Sequence, residues 1–217
     1  MQIKIYERRN RKNNQESMAV GSPHKINKLN NFISGWYINK KVCTDLINYF
    51  NKNKPHWGEG MLGMGQGKKG VNKKEKLSTD ITILDSNGDK EVINYVKALG
   101  KVLTKYKKLY KYCSLYHAEW EITEPWNIQR YKPGEGYFGP HCERTGPGTS
   151  LRHLTFMTYL NDVKSGGETE FLYQKLKVKP EIGLTLIWGT DWTTTHKGIT
   201  SKTETKYITT GWYTYIK

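Results

Sequence analysis

A mainly β, or α+β, fold with helices placed ahead of the strands is what this 217-residue sequence predicts. Three observations carry that expectation. Two stretches in the first half repeat apolar residues at helical spacing. Beyond Tyr116 the texture changes to short segments rich in β-branched and aromatic residues, separated by turn signals. No apolar run approaches the ~18 residues that span a bilayer.

Taken in order, residues 1–30 are polar, rich in Lys, Arg and Asn and without periodicity, which predicts a flexible basic arm. From Asn39, NKKVCTDLINYF places Val42, Leu46, Ile47 and Phe50 on one helical face, with Asn39 as N-cap. The stretch from Trp57 to Gly70 then contains six glycines between Gly58 and Gly70. So much glycine cannot hold one conformation cheaply, so the loop is either a substrate lid or an ordinary connection. It lacks the spacing of a phosphate-binding P-loop. From Asp89 to Cys113, Ile93, Val96, Leu103, Tyr106 and Leu109 recur at helical spacing, with Lys filling the outer face of a long amphipathic helix. The remainder, from IQRY through KYITTGWYTYI, reads as about eight strands of a sandwich or barrel. The expected organisation is an arm over 1–30 and one domain over 31–217, with helical support and the glycine-rich loop in 31–120 and the β-core in 121–217.

Composition narrows the function classes. Thirty-five basic against 20 acidic residues give a net charge of +15, which suits a polyanionic partner. Only six of the basic residues are Arg, and the Lys comes with abundant Asn, Ile and Tyr. That mixture also follows from an AT-rich genome, and sequence-specific nucleic-acid readers lean on the Arg fork. The composition suits a low-GC microbe or a virus. The N-terminus has charge but no apolar segment behind it, so it does not read as a secretory signal. Cys43, Cys113 and Cys142 are too few and scattered for a disulfide framework and contain no CxxC pair. An intracellular, cytoplasmic protein without membrane association is expected.

The chemistry concentrates in GPHCERTG. His141 and Glu143 are two apart, so on a strand their side chains share a face while Cys142 turns away. His196 follows 55 residues later, near the start of another expected strand. Two histidines and a carboxylate in this arrangement suit non-heme Fe(II) with open positions opposite. Zinc accepts the same donors, but a zinc hydrolase needs a further general base, and none is signalled. Lys206 lies ten residues after His196 inside the apolar, aromatic KYITTGW. Burying it is costly unless an anion pairs with it; the plainer reading is an edge strand that turns Lys206 to solvent.

RYKPGEGYFGPHCE, RHLTFMTYLNDVKSGGETEF, VKPEIGLTLIW and HKGITSKTETKYITTGWY resemble, in order and spacing, the Fe(II)/2-oxoglutarate-dependent dioxygenases, and most closely their prolyl 4-hydroxylase branch. The resemblance covers about residues 125–217 and implies a double-stranded β-helix, the jelly-roll of cupin-like proteins, behind the N-terminal helices. It implies that His141, Glu143 and His196 bind iron and that Lys206 pairs with the distal carboxylate of 2-oxoglutarate. Tyr131 and Thr155 would bring hydroxyls to the cosubstrate, and Arg152 and Trp212 would line the substrate side. One departure stands out: the family usually has H-x-D where this chain has His141-Cys142-Glu143. The extra methylene carries the carboxylate about an ångström further, from which weaker iron affinity is expected.

The implied reaction is hydroxylation of an unactivated C–H bond using Fe(II), 2-oxoglutarate and O2, with ascorbate as an additional reductant. A prolyl residue in a peptide or protein is the leading substrate. A nucleic-acid demethylase-like oxygenase is a rival, although that branch carries a pair of Arg residues after its second metal-binding histidine, and no Arg follows Arg152 here. A non-catalytic jelly-roll binding domain is the other. A monomer or weak dimer is expected. Cys142 reads as packing, Gly166 and Gly167 as a tight turn, and Trp188 and Trp192 as core or rim aromatics. His24, His56, His117 and His153 have no second ligand at suitable spacing.

Overall fold

The computed structural model describes residues 23–24, 31–63, 69–86 and 88–216. The arm expected over 1–30 lies outside them apart from Pro23–His24, which pair with Trp36 and Gly35. Asn39 caps the first helix, α1 (Lys40–Lys52): its side-chain oxygen accepts from the Lys41 amide at 2.8 Å. That satisfies a donor the first turn cannot satisfy itself. Cys43, Leu46 and Phe50 form the buried face, with Val42 and Ile47 partly buried beside it.

The second helix, α2 (Lys90–Leu109), ends before Cys113, which belongs to a separate 3-10 turn over Lys111–Cys113. Its buried stripe is Val92, Tyr95, Ala98, Leu99, Val102 and Tyr106. The expected stripe is therefore rotated by about one position: Ile93, Val96 and Leu103 flank the core and Leu109 is exposed. Tyr95 explains the rotation. Its hydroxyl meets Thr158 Oγ1 at 3.0 Å inside the protein, so a residue with a polar atom occupies the centre of the stripe.

Among the described residues nine strands of three residues or more carry the rest: β1 (Ser34–Tyr37), β2 (Thr79–Ile83), β3 (Trp126–Tyr131), β4 (Arg152–Tyr159), β5 (Thr169–Phe171), β6 (Leu176–Val178), β7 (Leu184–Gly189), β8 (His196–Gly198) and β9 (Lys206–Tyr215). The large antiparallel sheet runs β1-β7-β4-β9-β3-β2, extended by Pro23–His24 at one end and Gly58–Glu59 at the other. The small sheet is β6-β5-β8. The fold is the jelly-roll that was expected, but the N-terminal half is not purely helical, since β1 and β2 widen the large sheet. In the glycine-rich stretch, Gly58–Glu59 pairs with Thr79–Asp80 and Leu62–Gly63 with Lys69–Gly70; residues 64–68 lie outside the described residues, so the lid expectation falls partly on them.

Alternation along the strands separates two cores. On one face of the large sheet Trp126, Ile128, Leu154, Phe156 and Tyr213 pack on α1 and α2. On the other, Tyr131, Met157, Tyr159, Leu184, Leu186, Trp188 and Ile208 meet Phe171 and Val178 of the small sheet. The second face also carries Lys206, Thr155 and Trp212, placed there by the same two-residue period. The inter-sheet space is therefore apolar with a few inward polar groups, which is how small-molecule sites are usually lined.

Candidate active site

His196 opens β8, and its backbone exchanges two 2.9 Å hydrogen bonds with His141, an isolated bridge that sets the two imidazoles side by side. Their ring centroids are 4.4 Å apart. The expectation of a regular strand through His141 and Glu143 is corrected here. Only His141 is bridged; Glu143 sits in a bend whose amide donates to Thr190 O at 3.1 Å. The two side chains converge because these two anchors hold the turn, not because of strand alternation.

Each histidine is oriented by a backbone carbonyl. His141 Nδ1 lies 2.9 Å from Gly139 O and His196 Nδ1 lies 3.0 Å from Thr194 O. A carbonyl only accepts, so both Nδ1 atoms carry the proton and both Nε2 lone pairs are free for a metal. Glu143 Oε1 is 3.9 Å from His141 Nε2 and 3.5 Å from His196 Nε2. The three donors lie within 4.8 Å of one another, and among the described residues they are the one cluster of three or more such side chains able to hold a metal ion. Burial pushes the pKa of both imidazoles down, for His141 well below its usual value with the neighbouring His196 adding to the effect. Both are thus kept neutral, the form that ligates. Tyr137 stacks on His141 at 3.6 Å and 9°, while Trp188 and Phe171 pack edge-on and tilted against His196.

Lys206 does not point to solvent; it is 5 % exposed. Its ammonium donates to Gly167 O at 3.0 Å and sits 4.9 Å from the Tyr131 ring centroid, and no carboxylate of the described residues lies within 4.0 Å. Burial lowers its pKa to about 8, opposed by the charge of Glu168. The carbonyl that receives it comes from the Gly166–Gly167 turn, where both residues have positive φ. A Cβ at Gly166 would stand 2.4 Å from Thr200 O, so glycine is required there. A Cβ built on Gly198, two residues past His196, would lie 3.7 Å from Lys206 Nζ, which puts the ammonium next to β8.

The remaining expected residues divide. Thr155 Oγ1 is buried with no hydrogen-bond partner among the described residues. Tyr131 faces Lys206 with its ring, while its hydroxyl donates to Gln129 Oε1 at 2.7 Å. Arg152 and Trp212, expected to line the substrate side, both contact Glu143. Arg152 is 8 % exposed and held by Glu124, and Trp212 Nε1 donates to Glu143 Oε2 at 2.8 Å. Cys142 is partly exposed and its thiol pKa is raised by burial and by Glu143, which disfavours the thiolate.

Two features escaped the sequence reading. Trp188 Nε1, beside His196, is a second buried donor with no hydrogen-bond partner among the described residues. The pairing of Thr155 with Trp188 across β4 and β7 puts the two orphans side by side. Beside Tyr131 and Tyr137 runs a buried network in which Lys76 pairs with Asp80 at 2.8 Å, and Asp80 also accepts from Ser78 and Gln129. Nothing in KLSTD marks those residues, since their burial depends on β2 lying against β3.

Residues 126–214 match the sequence model of the 2OG-Fe(II) oxygenase superfamily. No curated protein sequence matches the chain. The fold is shared with solved prolyl hydroxylases. The viral collagen prolyl hydroxylase of Paramecium bursaria Chlorella virus-1, solved with 2OG, has a TM-score of 0.62 and 21% identity, over 85% of this chain and 97% of that one. A prolyl-4-hydroxylase from Pseudomonas putida gives 0.61 and 14% over 86% and 94%. A prolyl hydroxylase from Trichoplax adhaerens, in complex with a hypoxia inducible factor oxygen degradation domain peptide fragment, gives 0.64 and 17% over 85% and 84%. The matched segment contains His141, Glu143, His196 and Lys206, so the donor cluster and the buried ammonium both lie in the part of the chain that is similar to the 2OG-Fe(II) oxygenase superfamily.

Proposed function

We propose that this protein is a dioxygenase that hydroxylates a prolyl residue in a peptide or protein, with iron on His141, Glu143 and His196 and with 2-oxoglutarate anchored through Lys206. One observation carries the assignment of the small-molecule site. An ammonium is buried next to β8 and, among the described residues, touches a carbonyl and an aromatic ring but no carboxylate, with the Glu168 charge acting only from further away. Such a charge is costly to hold unless an anion joins it. The donor set fits the metal equally well: two neutral imidazoles with free Nε2 atoms and one carboxylate are a hard and borderline set suited to Fe(II).

When bound, Fe(II) with 2-oxoglutarate and O2 supplies the oxidising chemistry, coupling cosubstrate decarboxylation to attack on a C–H bond. The protein's own contribution is positional. Gly139 O and Thr194 O fix the imidazole tautomers, while Lys206 offers one charged hydrogen bond to a distal carboxylate. Thr155 Oγ1 and Trp188 Nε1 are available to the same ligand. The apolar walls of Phe171, Trp188 and Met157 exclude water from the reacting centre. The prolyl substrate is supported by the shared fold and by the peptide held by the Trichoplax relative.

Anaerobic titration of the apoprotein with Fe(II) and 2-oxoglutarate tests the site. A visible metal-to-ligand charge-transfer band is expected in the wild type and lost in His196→Ala and Lys206→Ala. A wild type without the band would favour a non-catalytic jelly-roll. Succinate formation stimulated by proline-containing peptides, in the presence of ascorbate, tests the substrate. Stimulation by methylated oligonucleotides instead would move the assignment to nucleic-acid oxidation.

A further inference from the structure

We propose that Trp212 and Arg152 are positioning residues that turn the long carboxylate of Glu143 into a ligand presenting one oxygen. This rests on the metal site proposed above. Glu143 carries one more methylene than the aspartate usual at this position, and so one more rotatable bond that must be fixed before it can ligate. Each end of the side chain is held. The Glu143 amide donates to Thr190 O at 3.1 Å, and its carbonyl accepts from Arg152 Nη1 at 2.9 Å. At the far end, Oε2 accepts from Trp212 Nε1 at 2.8 Å. Oε1 is the oxygen that approaches His141 Nε2 at 3.9 Å and His196 Nε2 at 3.5 Å.

The support behind the indole is as well defined. Arg152 stands over the Trp212 ring at 3.5 Å from the centroid, a cation–π stack. Glu124 fixes the guanidinium through Nε at 3.1 Å and Nη2 at 2.7 Å. An indole N–H can only donate, so it engages Oε2 and fixes the rotation of the carboxylate that brings Oε1 toward the histidines. The second guanidinium contact, Arg152 Nη1 at 3.9 Å from Oε2, adds charge complementarity on the same oxygen. The chain Glu124–Arg152–Trp212–Glu143 thus fits the longer side chain, and a shorter aspartate leaves the indole without its acceptor.

The test uses the full-length apoprotein and Co(II) as a spectroscopic probe, with Kd and the visible ligand-field bands as readouts. Trp212→Phe keeps a ring under Arg152 and removes the N–H. Its Co(II) Kd is expected to rise about tenfold, as for other outer partners of metal ligands, with altered bands and nearly unchanged Tm. Glu124→Gln, which loosens Arg152 without touching the indole, is expected to raise Kd severalfold and serves if Trp212→Phe does not fold. In a Glu143→Asp background, Trp212→Phe is expected to cost nothing further, because the two changes remove one interaction. Unchanged Kd and bands in Trp212→Phe, or the same loss in both backgrounds, would overturn the clamp while leaving the metal site intact. Co(II) binding that survives in His196→Ala would overturn the metal site and the clamp with it.

Discussion

Lys206 is the residue whose behaviour follows most directly from its surroundings. Burial lowers its pKa from 10.5 to about 8, and a charged lysine there costs the apoprotein on the order of 3 kcal/mol. Between pH 8 and 10.5 the unfolded chain holds more protons than the folded one, so the apoprotein gains stability as pH rises through that window. Binding has the opposite sign, because only the protonated amine pairs with a carboxylate. The 2-oxoglutarate Kd is expected to weaken by about tenfold or more between pH 7 and 9.5. In Lys206→Met, binding is expected to be weak at both pH values and the pH 7 apoprotein more thermostable; calorimetric titration and thermal melts at the two pH values measure both. His141, Glu143 and His196 were legible as a candidate metal set from residue type and spacing, whereas the part expected of Lys206 came from the family resemblance. That the ammonium turns inward was not legible, since a single lysine in an amphipathic strand can face either way until the small sheet covers it. Glu143 shows the same limit: read alone, its length predicts a weakened site, whereas Trp212 and Arg152 hold it. Glu143→Asp is accordingly expected to bind Fe(II) no more tightly than wild type, as an anaerobic Kd determination would reveal.

At the scale of elements, α1 and its Asn39 cap follow from sequence because cap and apolar stripe are encoded within one continuous segment. Replacing Asn39 with Ala is expected to cost about 1 kcal/mol through the lost bond to the Lys41 amide, measurable by urea denaturation. For α2 the period was right and Tyr106 was on the expected face, but the rest of the stripe was off by one, because Tyr95 is buried by a partner far away in sequence, Thr158. Gly211 on β9 is a comparable case. A Cβ there would lie 2.5 Å from Trp126 Cβ and 2.6 Å from Phe156 Cζ, within the aromatic cluster that joins the large sheet to α2. Gly211→Ala is expected to cost about 1–3 kcal/mol by overpacking, lowering Tm by a few degrees per kcal/mol at this chain length. Differential scanning calorimetry checks it, and an unchanged Tm would mean that the cluster relaxes freely.

For the whole molecule, the site lies where three parts of the chain meet. The large sheet supplies Lys206 and Trp212, the small sheet His196, and the bridged turn between β3 and β4 His141 and Glu143. A ligand set spread in this way binds the folded state and not the unfolded chain, so loading should stabilise the whole domain. Fe(II) with 2-oxoglutarate at about 100 times Kd is expected to add roughly 3 kcal/mol, seen as a rise in Tm of several degrees that EDTA reverses. Among the described residues no helix is long and apolar enough to cross a membrane.

The sequence by itself determined the two helices, the run of strands after Tyr116 and the donors of the candidate metal site, because each is written in short periods or in residue chemistry that needs no partner, while the jelly-roll class came from the resemblance carried by longer motifs. Only the tertiary structure decided that β1 and β2 widen the large sheet, that Lys206 is sealed beside β8, and that Arg152 and Trp212 contact Glu143. Those outcomes depend on which strand lies against which. Register and layer packing arise from many weak contacts between residues distant in sequence, and no local pattern carries that information.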